Sequence, residues 1–160
     1  MGKTPEEMLQ VLADRAELEE MFTSYFSGGL RQGFDKFFVP GAEVDINGMV
    51  TRSFEETAEL YKKVADDKPK LTGQFRMILS NHIIEVDGDN ATVELMWTQQ
   101  LNDTIKGPPR LIEQGREWDK LVRTKDGWRI TKRVVIADSG LPDLFDETYT
   151  PRRDFNMSMM

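Results

Sequence analysis

QFRMILSNHIIEV (Gln74–Val86) and ATVELMWTQQL (Ala91–Leu101) are two apolar-rich, alternating runs joined by Asp87, Gly88, Asp89 and Asn90. Alternation of this length on both sides of a Gly-containing turn predicts a β-hairpin. A second pair follows, Leu111–Thr124 and Trp128–Ala137 around Lys125, Asp126 and Gly127, and the segment Asn102–Pro109 is the loop between the hairpins. Upstream the period changes to that of helices. Thr4, Pro5 and Glu7 form a capping box with proline at the first helical position, and Leu18, Met21, Phe22, Tyr25 and Phe26 make one apolar stripe that ends at Gly28 and Gly29. A brief second helix is expected over Leu30–Phe38, a turn at Pro40 and Gly41, and a strand near Glu43–Ile46. Ser53 and Glu56 form another capping box for a third helix, which carries Phe54, Ala58, Tyr61 and Ala65 and breaks at Pro69. Helices first and antiparallel strands second predict an α+β domain with helices packed on one sheet face. Its expected span is 1–138, with 139–160 an irregular C-terminal tail.

Composition narrows the chemistry. The 160 residues are 39% hydrophobic and 31% charged, enough for one core. With no cysteine, thiolate metal sites and disulfides are excluded, and a single histidine, His82, argues against histidine-rich metal sites and histidine triads. We therefore expect no metal and no organic cofactor. The net charge of −7, with Lys and Arg scattered singly, gives no electrostatic footprint for nucleic acid or an anionic membrane. No apolar run reaches the length of a membrane span and the first residues lack a secretory core, so the cytoplasm is the expected compartment. No phosphate-binding loop, dinucleotide glycine pattern or nucleophile elbow occurs.

Five short signatures occur in a telling order: DRAEL (Asp14–Leu18) with Tyr25 downstream, FVPGAEVD (Phe38–Asp45), NHIIEVDGDNA (Asn81–Ala91), GREWD (Gly115–Asp119) and DGWRI (Asp126–Ile130). Together they resemble the SnoaL-like branch of the nuclear transport factor 2-like superfamily, over roughly residues 12–137. The resemblance implies a cone-shaped α+β barrel, three N-terminal helices packed on a curved mixed or antiparallel sheet, with any chemistry in the apolar pocket between them. Relatives include scytalone dehydratase, steroid isomerases and polyketide cyclases. The acidic residue many members carry late in the first helix falls on Leu30, and the histidine they carry four residues before the third-strand asparagine falls on Met77. The aspartate–histidine dehydratase pair is thus replaced, and the fold carries over without that mechanism.

Within such a cone, strand alternation selects the inner face. Met77, Leu79 and Asn81 share one face of the third strand, so His82 points outward unless a bulge intervenes. Val93, Leu95, Trp97 and Gln99 share the matching face of the next strand, and Gly115, Glu117, Asp119 and Leu121 that of the one after. Carboxyls in an apolar pocket gain proton affinity. Asp45 is the candidate base, Glu117 the proton donor, and Tyr25 or Asn81 the hydrogen-bond donor to a developing oxyanion, with Asp119 as an orienting neighbour. Met77, Asn81, Trp97, Gln99, Asp119, Phe34 and Leu30 are the expected substrate contacts. An alternative stays open for each. Arg76, Arg110 or Arg133 could neutralise the acids in a structural ion pair, Tyr25 could be a packed core residue, and the aromatic lining could simply fill the core.

Two functions fit. One is a cofactor-free lyase or isomerase, such as a dehydratase or cyclase, acting on a hydrophobic aromatic, polyketide, terpenoid or steroid-like molecule. The other is a non-catalytic binding or assembly subunit, like the small subunit of ring-hydroxylating dioxygenases. Val122, Trp118 and Met96 on the outer sheet face suggest a homodimer through that surface.

Overall fold

The computed structural model describes residues 2–28, 32–66 and 73–140, apart from the side chains of 63–66. The remainder, including Leu30 and the tail from 141 on, lies outside the described residues.

Helix α1 runs Pro5–Phe26. Its capping box forms as read: Thr4 Oγ1 accepts from the Glu7 backbone N–H at 3.2 Å, and the Glu7 carboxylate accepts from the Thr4 N–H at 2.6 Å. Leu18, Phe22 and Tyr25 form its buried stripe. Helix α2 runs Phe54–Asp66, its start capped by Ser53 Oγ accepting from the Glu56 N–H at 3.1 Å. The brief helix expected over Leu30–Phe38 is, in its described part, a single 3-10 turn, Phe34–Lys36, so the described residues hold two α-helices rather than three. The run is short, and Gly33 precedes it at φ 112°, outside helical space.

Six strands form one mixed sheet in the order β2-β1-β6-β5-β4-β3. They are β1 Phe38–Ile46, β2 Met49–Thr51, β3 Gln74–Asp87, β4 Asn90–Asn102, β5 Arg110–Thr124 and β6 Gly127–Gly140. Both expected hairpins are present, and β6 runs two residues past the expected domain end at 138. β1 begins five residues before the expected Glu43 and pairs with β6 in parallel. β2 was not expected; it folds back on β1 through Asn47 and Gly48, both in the left-handed region at φ 55° and 92°.

One sheet face is buried under the helices, in a core that includes Leu18, Phe22, Val44, Val93, Leu95 and Ile130. The opposite face carries a smaller cluster of Trp118, Val134 and Ile136. Trp118, expected to be exposed, is only 3% exposed, and Lys120 lies over its ring; Met96 is exposed and Val122 half-buried. Among the described residues no helix is long and apolar enough to cross a membrane.

Bulges decide which side chains face the helices. Pairing shifts between Ser80 and Ile83 on β3, so Asn81 and His82 together oppose Leu95. Asn81 takes the left-handed conformation, φ 54°, and its side-chain amide donates to Met96 Sδ on the outer face. The alternation therefore inverts. Met77 and Leu79 face inward before the bulge, and Ile84 and Val86 after it, which places His82 on the inner side and Asn81 on the outer.

Candidate active site

The inner faces of β5 and β6 bring three charged side chains into the apolar core. Asp119 and Arg133 are direct cross-strand partners, and Glu117 lies two residues along β5 beside Val135. Arg133 Nε donates to Asp119 Oδ1 at 2.7 Å, and its Nη2 lies 3.0 Å from Glu117 Oε1. The second contact is a charge contact without hydrogen-bond geometry, since neither atom makes a hydrogen bond among the described residues. All three side chains are buried, with at most 2% of any one exposed.

Aromatic rings close over the guanidinium. Its central carbon lies 4.1 Å from the Tyr25 ring centre, 5.2 Å from Phe38, 5.7 Å from Phe22 and 6.0 Å from Phe26, which compensates part of the lost hydration. The Tyr25 hydroxyl is hydrogen-bonded to that of Tyr61 on α2. Phe34 continues the aromatic wall, stacked on Phe54 at 6.5 Å and tilted against Tyr61 at 5.9 Å.

Across β4, Trp97 pairs with Gly115. A Cβ on Gly115 would come 2.5 Å from the indole and 2.0 Å from the Ile136 carbonyl oxygen, so only glycine lets the ring lie flat there. Trp97 Nε1, Glu117 Oε1, Asp119 Oδ2 and both Arg133 Nη atoms are buried without a hydrogen-bond partner among the described residues. Buried polar groups without a protein partner are unusual; Trp128 Nε1 is a further one.

The electrostatics follow from two carboxyls sharing one cation. Burial pushes Glu117 well above the usual carboxylate range; Arg133 opposes the rise and Asp119 adds to it. Burial also raises Asp119, again opposed by Arg133. Burial works against the charge of Arg133, but Asp119 and Glu117 outweigh it and hold the guanidinium ionised. Asp119 has the directed bond to Arg133 and Glu117 does not, so of the two acids Glu117 is the one whose protonated form the site favours more. Burial also raises both phenols, Tyr25 strongly, so they stay protonated donors.

The structure thus gathers Tyr25, Glu117, Asp119, Trp97, Met77 and Phe34 on the helix-covered side, with Gln99 further along the same face of β4. Two expected residues do not join them. Asp45 lies between the inward Val44 and Ile46, opposite Val134, and its Oδ1 accepts from the Gly48 N–H at 2.7 Å, so it braces the β1–β2 turn. Asn81 is turned outward by the bulge. Leu30 lies outside the described residues.

Arg133 is the one of the three candidate neutralising arginines that the structure brings to the acids, and Tyr61 is a site residue the sequence did not single out. Counting back from the Lys125–Gly127 turn pairs Asp119 with Lys132. A bulge between Lys120 and Leu121 advances the register by one and substitutes Arg133. Tyr61 read only as part of a helical stripe.

Two open grooves of about 670 Å³ each lie elsewhere, one lined by Glu85, Thr92, Lys120 and Thr131, the other by Glu7, Gln10, Asp14 and Arg123. Neither touches Glu117, Asp119 or Arg133. The buried hydrogen-bonding groups identify the site better than the grooves, because they combine acid, cation and donors in a desolvated setting. Among the described residues no three of His, Cys, Asp and Glu converge as metal ligands.

Comparison with known proteins gives a consistent placement. The profile of a family described as SnoaL-like domain matches residues 10–134. An uncharacterized protein of Mycobacterium tuberculosis is 28% identical over 131 residues, covering 77% of this chain and 84% of that protein. Among solved structures, a provisionally named scytalone dehydratase from Novosphingobium aromaticivorans superposes with a TM-score of 0.60 at 18% identity, covering 81% of this chain and 87% of its own. The β subunit of a provisionally named aromatic-ring-hydroxylating dioxygenase from the same organism gives 0.61 at 18% identity, covering 83% and 93%. Both likenesses are of fold.

Proposed function

Since the chain belongs to the SnoaL-like domain family, we propose that it is a cofactor-free proton-transfer enzyme, a lyase or isomerase. Its substrate is a hydrophobic aromatic, polyketide, terpenoid or steroid-like molecule held between the helices and the sheet. The observation that carries this reading is Glu117, a buried carboxyl whose proton affinity burial raises, set beside a buried cation and near two hydrogen-bonded phenols. A neutral acid in a desolvated site is a proton donor at ordinary pH. The Tyr25 and Tyr61 hydroxyls supply hydrogen bonds to a developing oxyanion. Asp119 and Arg133 act through Glu117 as positioning residues. The name of the dehydratase-like structure supports the reading at the level of reaction class.

One observation favours the second reading, a binding or assembly subunit: Arg133 engages both acids, as a purely structural ion pair would, and a dioxygenase β subunit shares the fold. Glu117→Gln separates the two. With a panel of polycyclic ketones and β-hydroxy ketones followed by mass spectrometry, the wild type converts a member of the panel, Glu117→Gln loses about 100-fold or more in rate, and Asp45→Asn, away from the site, keeps it. Equal rates for wild type and Glu117→Gln would remove the carboxyl from the chemistry. We also propose that a second copy of the chain covers the outer sheet face around Ile78, Ile83 and Met96, all exposed.

A further inference from the structure

We propose that the exposed flank of α1 over residues 5–16 is a docking surface for a partner protein, which lays a basic amphipathic helix along it. The surface is independent of the chemistry assigned to Glu117. Leu18, Phe22 and Tyr25 define the side of α1 that the sheet covers. At about 3.6 residues per turn, Met8, Leu9, Leu12 and Ala16 fall a quarter to a half turn away from that side. Met8 is 50% exposed, Leu9 67% and Leu12 63%, and of residues 5–13 only Val11 is even half-buried. A helix that had only to cover the sheet would carry polar side chains there. Farther along α1 it does so, with Glu17, Glu19 and Glu20 exposed.

Shape and charge choose the occupant. The stripe from Met8 to Ala16 runs along the helix axis for about 12 Å, a contact that suits a second helix packed lengthwise. Its border is acidic. Glu6, Glu17, Glu19 and Glu20 are exposed around it, while Arg15 donates to the Ile84 carbonyl at 3.1 Å. The groove on the other flank of α1, at the β3–β4 turn, adds Glu7, Asp14, Asp87 and Asp89 against Lys3 and Arg123. Arg123 is already paired with Asp14 at 2.8 Å and Asp89 at 3.0 Å. An apolar stripe in a negative field selects an apolar seam flanked by Lys or Arg. A second copy of α1 would set the same glutamates against each other, a like-charge contact that works against pairing. The stripe is small, so the contact belongs to the weak, reversible class.

The probe is a fluorescein-labelled synthetic peptide of about four helical turns, with leucine at helical spacing and lysine elsewhere. Binding to the full chain is read by anisotropy and from the Met8 methyl resonance. The wild type binds with a Kd of about 10–100 μM at low salt, the Met8 resonance shifts, and affinity falls about tenfold at high salt. Leu9→Gln and Leu12→Gln, at exposed positions and compatible with a helix, each weaken binding about fivefold or more. Unchanged affinity in both variants overturns the proposal. So does equal binding of a scrambled peptide of the same composition or of one with glutamate in place of lysine, and so does a wild type that does not bind at about 1 mM. The chain has no cysteine, so Ala13→Cys carries a single nitroxide that reports other occupants in the absence of peptide. Broadening of Met8 in an unlabelled second copy assigns the stripe to self-association, and broadening of the Met157, Met159 and Met160 methyls of the same chain assigns it to that segment; either result overturns the proposal.

Discussion

Arg133 is fully buried and charged, and its guanidinium is only partly compensated. One edge meets Asp119, another approaches Glu117, and the flat face meets the Tyr25 ring. The cost falls on the acids, which share a single cation, and burial raises the proton affinity of both, Glu117 strongly. This has a measurable sign. The folded state holds a proton that the unfolded chain releases in the ordinary carboxylate range, so the Glu117 contribution to stability is full below that range and declines as pH rises through the raised folded value. Urea unfolding across pH 5–8 is predicted to show the wild type losing stability relative to Glu117→Gln as pH rises, with a slope of at most about 1.4 kcal/mol per pH unit. A stability difference independent of pH would mean that Glu117 is ionised. At this scale the acids themselves were legible, because alternation put Glu117 and Asp119 on one face of β5. Their cation was legible only as one of three arginines, Arg76, Arg110 or Arg133, since a one-residue bulge decides whether Lys132 or Arg133 meets Asp119.

At the level of elements, local signals read well and irregularities did not. The capping box of α1, the Ser53 cap of α2, whose Glu56 carboxylate accepts from the Arg52 N–H instead of closing a box, and both long hairpins follow from short-range signals. The second helix shrank to a single turn, and β2, three residues long, was missed although Asn47 and Gly48 are a strong hairpin pair. The bulge at Asn81 changes the inner face most, because it exchanges Asn81 for His82 there. Asparagine tolerates the left-handed region, glycine favours it and a β-branched residue resists it. Asn81→Val is therefore predicted to cost about 1–3 kcal/mol in urea unfolding, and Asn81→Gly to stay within about 1 kcal/mol of wild type. Equal stability of the two variants would contradict a strained bulge. Asp45, the candidate base, lies on the opposite face, because the inward Val44 and Ile46 flank it on β1.

Among the described residues, two α-helices cover one face of a six-stranded sheet and leave the other partly apolar. The α+β class and family were legible in the order of signatures; the mixed pairing was not resolved, because the parallel contact of β1 with β6 joins segments about 90 residues apart. On the outer face Ile78, Ile83 and Met96 remain exposed while Trp118 is buried. Sedimentation at micromolar concentration is predicted to give a dimer, and Met96→Lys to shift it toward monomer; a monomeric wild type would contradict that proposal. The central claim, that the core holds a neutral carboxylic acid ready to donate its proton, is tested most directly by infrared spectroscopy at neutral pH. The account predicts a protonated-carboxyl C=O band in the wild type that disappears in Glu117→Gln. A wild-type spectrum with no such band would show Glu117 ionised and its contact with Arg133 to be an ordinary structural salt bridge.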